Sequence, residues 1–312
     1  MAITAAMVKE LREMTGAGMM DCKKALNETE GNIDEAVEYL RKNGQAKAEK
    51  KAGRIAAEGL CAVVLKDDKT AAVVEVNSET DFVAKNEIFQ EFVKAAAVQA
   101  VQSNAANMEE FMEEAWNLET EKTVKEALLD KISVIGENLG IRRFEKVTAE
   151  NGCVVSYVHG GGKIGVIVEA ETTAVTDTVK EALSNIAMQV AALSPKYVSS
   201  EEVSEEYKEH EKEILMAQAK NDPKNSGKPE NIIEKMIIGR LNKELKEVCL
   251  LEQVYVKAED GKQTVAQYLA EVSKEAGSDV TVKKFVRFET GEGLEKKSED
   301  FAAEVAAQMG NN

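Results

Sequence analysis

The chain has 312 residues, 44% apolar and 31% charged, more than one ordinary core needs, so a soluble, folded protein of two or more modules is expected. A formal charge of −16, from 56 acidic against 40 basic residues, disfavours nucleic acid as the main partner, because binding a phosphate backbone needs a basic face. No apolar run approaches the ~18 residues that span a bilayer, and Glu10 and Glu13 fall where a signal peptide would be apolar, so no membrane partner and a cytoplasmic location are expected.

Residues 1–45 read as three short helices. Thr4 can cap the first, with Val8, Leu11 and Met14 on one face and Gly16 as its stop. The second starts at Gly18 and runs through Leu26. Asn32 with Glu35 three positions on resembles a capping box and opens the third, which Gly44 is expected to end. A bundle of this size suits gripping a partner better than enclosing a reaction. Residues 46–58 read as an Ala/Lys linker whose basic cluster is Lys47, Lys50, Lys51 and Arg54; a solvated helix face and an RNA contact both explain that cluster.

Residues 59–140 form a first core subdomain, with strands over 60–65 and 70–76 turning at Asp67-Asp68 and helix over 84–102 and onward to Asn138. A second core subdomain, 141–198 with 248–290, has strands over 141–147, 153–158, 165–170, 248–256 and 280–288, with helices over 176–193 and from Thr264. Between its two parts, 199–247 read as an acidic αα-hairpin, broken by Pro223 and Pro229 and lined by Ile214, Leu215, Ile232, Ile233, Met236, Ile237, Leu241 and Leu245. A last helical module, 291–312, opens its helix at Ser298 and carries Phe301 and Val305. Antiparallel strands with segregated helices make the whole α+β.

The two strand-rich runs look like an internal repeat: Val74-Glu75-Val76 leads to Glu79-Thr80-Asp81-Phe82-Val83 and an Ala-rich helix, as Val168-Glu169-Ala170 leads to Glu171-Thr172-Thr173-Ala174-Val175 and another. Asp81-Phe82 in the first copy stands against Thr173-Ala174 in the second, an asymmetry that argues for a task peculiar to the first. Thr80 is a candidate helix cap that places Asp81 and Phe82 in an exposed first turn; alternatively Asp81 serves the helix dipole and Phe82 packs inward.

His159-Gly160-Gly161-Gly162-Lys163-Ile164-Gly165 contains a GxGxxG spacing, but the strand-like Val166-Ile167-Val168 follows where a dinucleotide site needs a helix. Lys163 precedes Ile164, not Ser or Thr, so the phosphate-loop pattern fails as well, and no GxSxG elbow supports an oxyanion role. A hairpin turn is the plain alternative, against a hydrolase built on His159. Cys22, Cys61, Cys153 and Cys249 lie far apart, with no CxxC and two histidines in the chain, so buried thiols are expected and no metal, cofactor or enzymatic activity.

At 11–26 the chain reads LREMTGAGMMDCKKAL and at 75–85 EVNSETDFVAK. With the HG turn in 156–165, Ile141-Arg142-Arg143, Arg287-Phe288-Glu289 and DFAAEVAA at 300–307, these resemble elongation factor Ts essentially from end to end. The turn at His159 is richer in glycine, and the acidic hairpin longer, than in compact members of that family. The resemblance implies a ubiquitin-associated-like three-helix module, a duplicated α+β core, a protruding helical hairpin and a C-terminal helix. It implies a guanine nucleotide exchange factor that docks on the GTPase domain of elongation factor Tu and displaces Mg2+ with the turn Thr80, Asp81, Phe82 and Val83. Arg12, Met19, Met20, Lys23 and His159 match partner-binding positions, and the hairpin matches one that joins two copies in the family. The rival is a plain interaction adaptor that uses only the N-terminal helical module.

Overall fold

A computed structural model describes residues 3–222 and 228–295, and the expected helix opening at Ser298 lies outside them. The chain opens with α1 (Ala5–Thr15), α2 (Met19–Glu28) and α3 (Ile33–Lys51). Thr4 caps α1 by accepting from Met7 N–H, and Asn32 caps α3 by accepting from Glu35 N–H. Leu11, Cys22, Ala25, Leu26 and Ala36 are fully buried at the centre of this small bundle.

The first copy of the repeat follows as β1 (Glu58–Leu65), β2 (Thr70–Ser78), α4 (Asp81–Ala84), α5 (Glu87–Gln102), α6 (Met108–Glu113), β3 (Ala115–Trp116), β4 (Glu119–Thr123), α7 (Val124–Ile135) and β5 (Gly140–Thr148). The expected helix over 84–102 is therefore broken near its start: the short α4 closes at Lys85, and Asn86 caps α5 by accepting from Ile88 and Phe89 N–H. Strands β1, β2 and β5 pair antiparallel in that order, so 141–147, expected in the second subdomain, complete the first sheet.

Gly44 does not end α3. The helix runs on to Lys51 alongside α7, where even a Cβ at Gly44 would make only ordinary contact, 3.5 Å from Ser133. An interior helical glycine costs about 1 kcal/mol relative to alanine, a cost tertiary packing can override, and Ala48 one turn on is buried in the first core. Residues 46–51 of the expected linker are thus helical.

The second copy comprises β6 (Cys153–His159), β7 (Ile164–Glu171), α8 (Asp177–Leu193), the antiparallel pair α9 (Glu205–Asn221) and α10 (Glu230–Val248), a 3-10 turn (Leu250–Glu252), α11 (Val265–Ala276) and β8 (Thr281–Glu289). Its sheet has the order β6-β7-β8. The expected strand over 248–256 is instead the end of α10 and the 3-10 turn, touched by the isolated bridges Tyr197↔Cys249 and Val254↔Thr264. A short apolar run has the same period-free appearance in a buried turn as in a buried strand.

Alternation along the strands stacks these parts in four layers. Ala72, Val74 and Val76 face α5, whereas Ala71 and Val73 meet Val154 and Ile167 of the other sheet. Val166 and Val168 face α8 in turn. The copies share fine detail: Gly59 and Gly152 both have φ 129°, and a Cβ would lie 2.1 Å from Val76 O and 2.0 Å from Ala170 O. A bulge leaves Arg142 unpaired opposite Glu75/Val76, and another leaves Lys283 unpaired opposite Glu169/Ala170. Helices α9 and α10 satisfy each other through Leu215, Ala219, Ile237 and Leu241, leaving Ile214, Ile232 and Ile238 exposed.

Candidate functional site

The two copies part company between strand and helix. After the bulge the first copy spends residues 75–86 before its helix cap, the second only 169–176, and the excess is the single turn α4. The difference is therefore an inserted turn, not merely a replaced pair of residues. Thr80 caps it by accepting from Val83 N–H at 3.3 Å. Val83 and Ala84 pack toward the first core, which leaves Phe82 pointing outward with 80% of its surface exposed. Packing of Phe82 into the core is thereby excluded. Asp81 binds Lys85 at 2.6 Å, and the Lys85 ammonium lies 5.9 Å from the Phe82 ring centroid. The Lys85 hydrogen bond holds the Asp81 carboxyl below its ordinary range, with a smaller contribution from the charge of Lys163.

The foot of this turn is held from a distance. Glu137, just past the left-handed cap Gly136 of α7, accepts from Glu79 N–H (3.0 Å), Thr80 N–H (3.1 Å) and Thr80 Oγ1 (2.6 Å). Glu79 answers by accepting from Asn138 N–H at 2.6 Å, and it meets Arg54 at 3.4 Å. Asn138 Nδ2 also donates to the Arg54 carbonyl at 2.9 Å. Sequence reading passed over Glu137 because nothing local distinguishes it: its partners are 57 and 58 positions away.

The glycine-rich segment is the β6–β7 hairpin turn. Gly160, Gly161 and Gly162 have φ of 59°, 64° and 103°, and β7 begins straight afterwards, so no helix N-terminus faces the loop. The Gly162 carbonyl accepts from Cys61 N–H at 2.7 Å, fixing the turn to the first sheet. His159 is exposed, its Nδ1 3.0 Å from Tyr157 Oη. Lys163 pairs with Glu58 at 2.6 Å, Glu58 faces Ser78 across β1 and β2, and Ser78 Oγ donates to the Thr80 carbonyl at 3.1 Å, so the glycine-rich turn lies beside the foot of the Phe82 turn.

Arg12, Met19, Met20 and Lys23 flank the turn between α1 and α2, all exposed, with Met19 at 59% and Met20 at 75%. They form a second surface. Lys47 joins α3 to Asp21 at 2.8 Å, and beyond the end of α3 Arg54 reaches Glu79, so α3 and its extension tie the two surfaces together.

Arg142 and Arg143, side by side because of the bulge, both bind the fully buried Glu75, at 3.0 and 2.5 Å. Gly291 N–H donates to the same carboxylate at 2.8 Å, and the Arg143 guanidinium lies 4.2 Å from the Phe288 ring centroid. This cluster joins the first sheet to the end of β8 and so fixes the two halves relative to each other. In the second copy the bulge carries Lys283 and Lys284, which pair outward with Glu171 at 3.2 Å and Glu145 at 2.6 Å.

Among the described residues no helix is long and apolar enough to cross a membrane. The sequence model of the family described as Elongation factor TS matches residues 79–292. The chain is 57% identical over 311 residues to elongation factor Ts of Clostridioides difficile (strain 630), covering 98% of this chain and 99% of that one. It is 54% identical over 308 residues to elongation factor Ts of Clostridium novyi (strain NT), covering 98% and 99%. Against elongation factor Ts of Trichlorobacter lovleyi it is 52% identical over 315 residues, covering 99% of each. A duplicated α+β core bearing one inserted turn, matched at this identity along nearly all its length, makes the chain a member of the elongation factor Ts family, a translation elongation factor.

Proposed function

We propose that this chain is a guanine nucleotide exchange factor, not an enzyme in its own right, which acts on elongation factor Tu in the cytoplasm. Its Arg12, Met19, Met20 and Lys23 surface grips the GTPase domain, His159 adds a core contact, and Phe82 is pressed beside the nucleotide-bound Mg2+. The observation that carries this reading is Phe82 itself, a large apolar side chain 80% exposed on a turn present in only one of two copies. Exposed aromatic side chains on anchored turns suit insertion into a partner's pocket.

Mg2+ needs near-octahedral oxygen ligation and is held by few protein groups besides phosphate. Phe82 and Val83 would displace the loops that supply those groups, so that GDP loses a clamp on its β-phosphate oxygens. Each tenfold loss of nucleotide affinity takes about 1.4 kcal/mol, within reach of one well-placed aromatic contact. Coupling is reciprocal, so bound nucleotide weakens this chain's hold by the same factor and the factor departs once GTP binds.

The test is release of a fluorescent GDP from elongation factor Tu. Phe82→Ala is expected to fold normally and to stimulate release at least about tenfold less well. Release at the unaltered rate would sink the wedge. Full binding with no stimulation of release by the unaltered chain would favour the adaptor reading.

A further inference from the structure

The clamp at the foot of the Phe82 turn has a counterpart in the second copy, made from different chemistry. Helices α7 and α11 both start with a threonine capping box and both end on a left-handed glycine, Gly136 and Gly277. The residue after that glycine is Glu137 in one copy and Ser278 in the other. Ser278 Oγ lies 2.7 Å from Thr173 Oγ1 and accepts from Thr173 N–H at 3.3 Å, so the same crossing between strand exit and helix end is closed by a hydroxyl in place of a carboxylate. The fold therefore needs a contact at this place, but not a carboxylate. Only the copy with an inserted turn uses the reciprocal pair in which Glu137 accepts three hydrogen bonds and Glu79 returns one.

From this difference we infer that Glu137, assisted by Glu79, is a positioning residue for nucleotide exchange, acting through Phe82. The inference rests on the proposed role of Phe82. A helix as short as α4, four residues, has no stability of its own. Phe82, at 80% exposure, adds little burial to hold it. Besides the packing of Val83 and Ala84 on one side, the turn is held at its foot by this anchor. A turn left free to move loses that freedom when pressed against a partner, and the cost is drawn from the free energy that would otherwise displace the partner's loops. A probe that must hold its geometry depends on the residues behind it as much as on its tip.

The experiment uses the full chain and elongation factor Tu loaded with fluorescent GDP, comparing Phe82→Ala, Glu137→Ser, Glu137→Gln and the double variant Phe82→Ala/Glu137→Ser. Serine is what the second copy tolerates, and circular dichroism with Trp116 fluorescence checks the fold. Glu137→Ser is expected to lower the saturating release rate about tenfold and to change the half-saturating concentration less than about twofold, since the N-terminal surface is untouched. Amide hydrogen exchange at Thr80 and Val83 of the free protein should accelerate in the same variant. Glu137→Gln, which keeps one acceptor oxygen, should fall between; if Glu137→Ser fails to fold, Glu137→Gln carries the same comparison. In the Phe82→Ala background, Glu137→Ser should cause no further loss. A wild-type rate for Glu137→Ser beside a slow Phe82→Ala would overturn the inference and leave the wedge standing. A further loss in the double variant would overturn it too, by showing that Glu137 acts elsewhere. Wild-type release by Phe82→Ala would remove both.

Discussion

Replacing Glu75 by glutamine keeps the shape and removes the charge at the joint between the two halves. The carboxylate is fully buried and accepts from Arg142 at 3.0 and 3.2 Å, Arg143 at 2.5 Å, Asn77 at 3.1 Å and Gly291 at 2.8 Å. Burial pushes its pKa up, but the Gly291 amide and the two guanidiniums outweigh burial and hold it below the ordinary range. Removing one member of a fully buried ion pair costs about 3–5 kcal/mol. Here Arg142 and Arg143 keep 27% and 29% exposure, so water takes over part of their solvation. The expected loss is about 2–3 kcal/mol. Urea unfolding followed on Trp116, the single tryptophan, measures it. With a slope of about 2 kcal/mol/M, the midpoint should fall by about 1 M or more. A depressed carboxyl contributes its stability above the unfolded pKa and loses it as pH falls through the folded one, so the gap between wild type and variant should close below about pH 4. A midpoint shift under about 0.3 M, or a gap that stays open in acid, would refute the view that this cluster holds the halves together.

Met19→Gln with Met20→Gln should change stability by less than about 0.5 kcal/mol, given their exposure, yet weaken binding to elongation factor Tu by at least about tenfold in calorimetry; unchanged affinity would give the helical module another task. Shortening the hairpin around 221–229 by whole helical turns should leave GDP release intact while any self-association, followed by light scattering at several concentrations, declines. Loss of exchange in that folded variant would mean the hairpin touches the GTPase. Gly162→Ala forces a side chain onto φ 103° and into Leu60 Cδ2 at 2.9 Å, so thermal unfolding should report a loss of about 1–3 kcal/mol and exchange should weaken as His159 shifts; a neutral result would show that the turn adapts without moving His159. Burial pushes the Cys61 and Cys249 thiols up to about 11, so a thiol reagent at pH 8 should label them only after unfolding, and fast labelling of the native protein would contradict their packing.

What the sequence disclosed was local chemistry. Thr4, Asn32, Thr80 and Thr264 act as the caps their positions suggest, since capping is decided within three or four residues. Asp67-Asp68 marks a real hairpin, in which Asp67 accepts from Lys69 and Thr70 N–H, both at 2.8 Å. What stayed hidden was decided by distant partners. Gly44 carries the ordinary mark of a helix end, yet the helix continues through it, beside α7 and with Ala48 buried in the distant first core. Strand 141–147 could not be assigned to a sheet from its own residues, because pairing with β2 joins segments some 70 positions apart. Of the turn at 80–83, the cap was legible; the sequence left Phe82 open between exposure and packing, and it gave no sign of the anchor at Glu137. Arg142 and Arg143 stood out only as part of a resemblance, and the bulge that turns both toward Glu75 has no signal in a single sequence.

Gly59 with Gly152, and the bulge at Arg142 with that at Lys283, mean that the molecule owns a spare chassis. The second copy has the strand exit, the bulge, the cap at Thr176 and the helix end at Gly277 in place, with nothing mounted on them. A transplant of residues 79–85 into the 171–175 connection, with Ser278→Glu to seat it, would arrive on a frame already shaped for it. The original turn would remain as a reference in the same polypeptide.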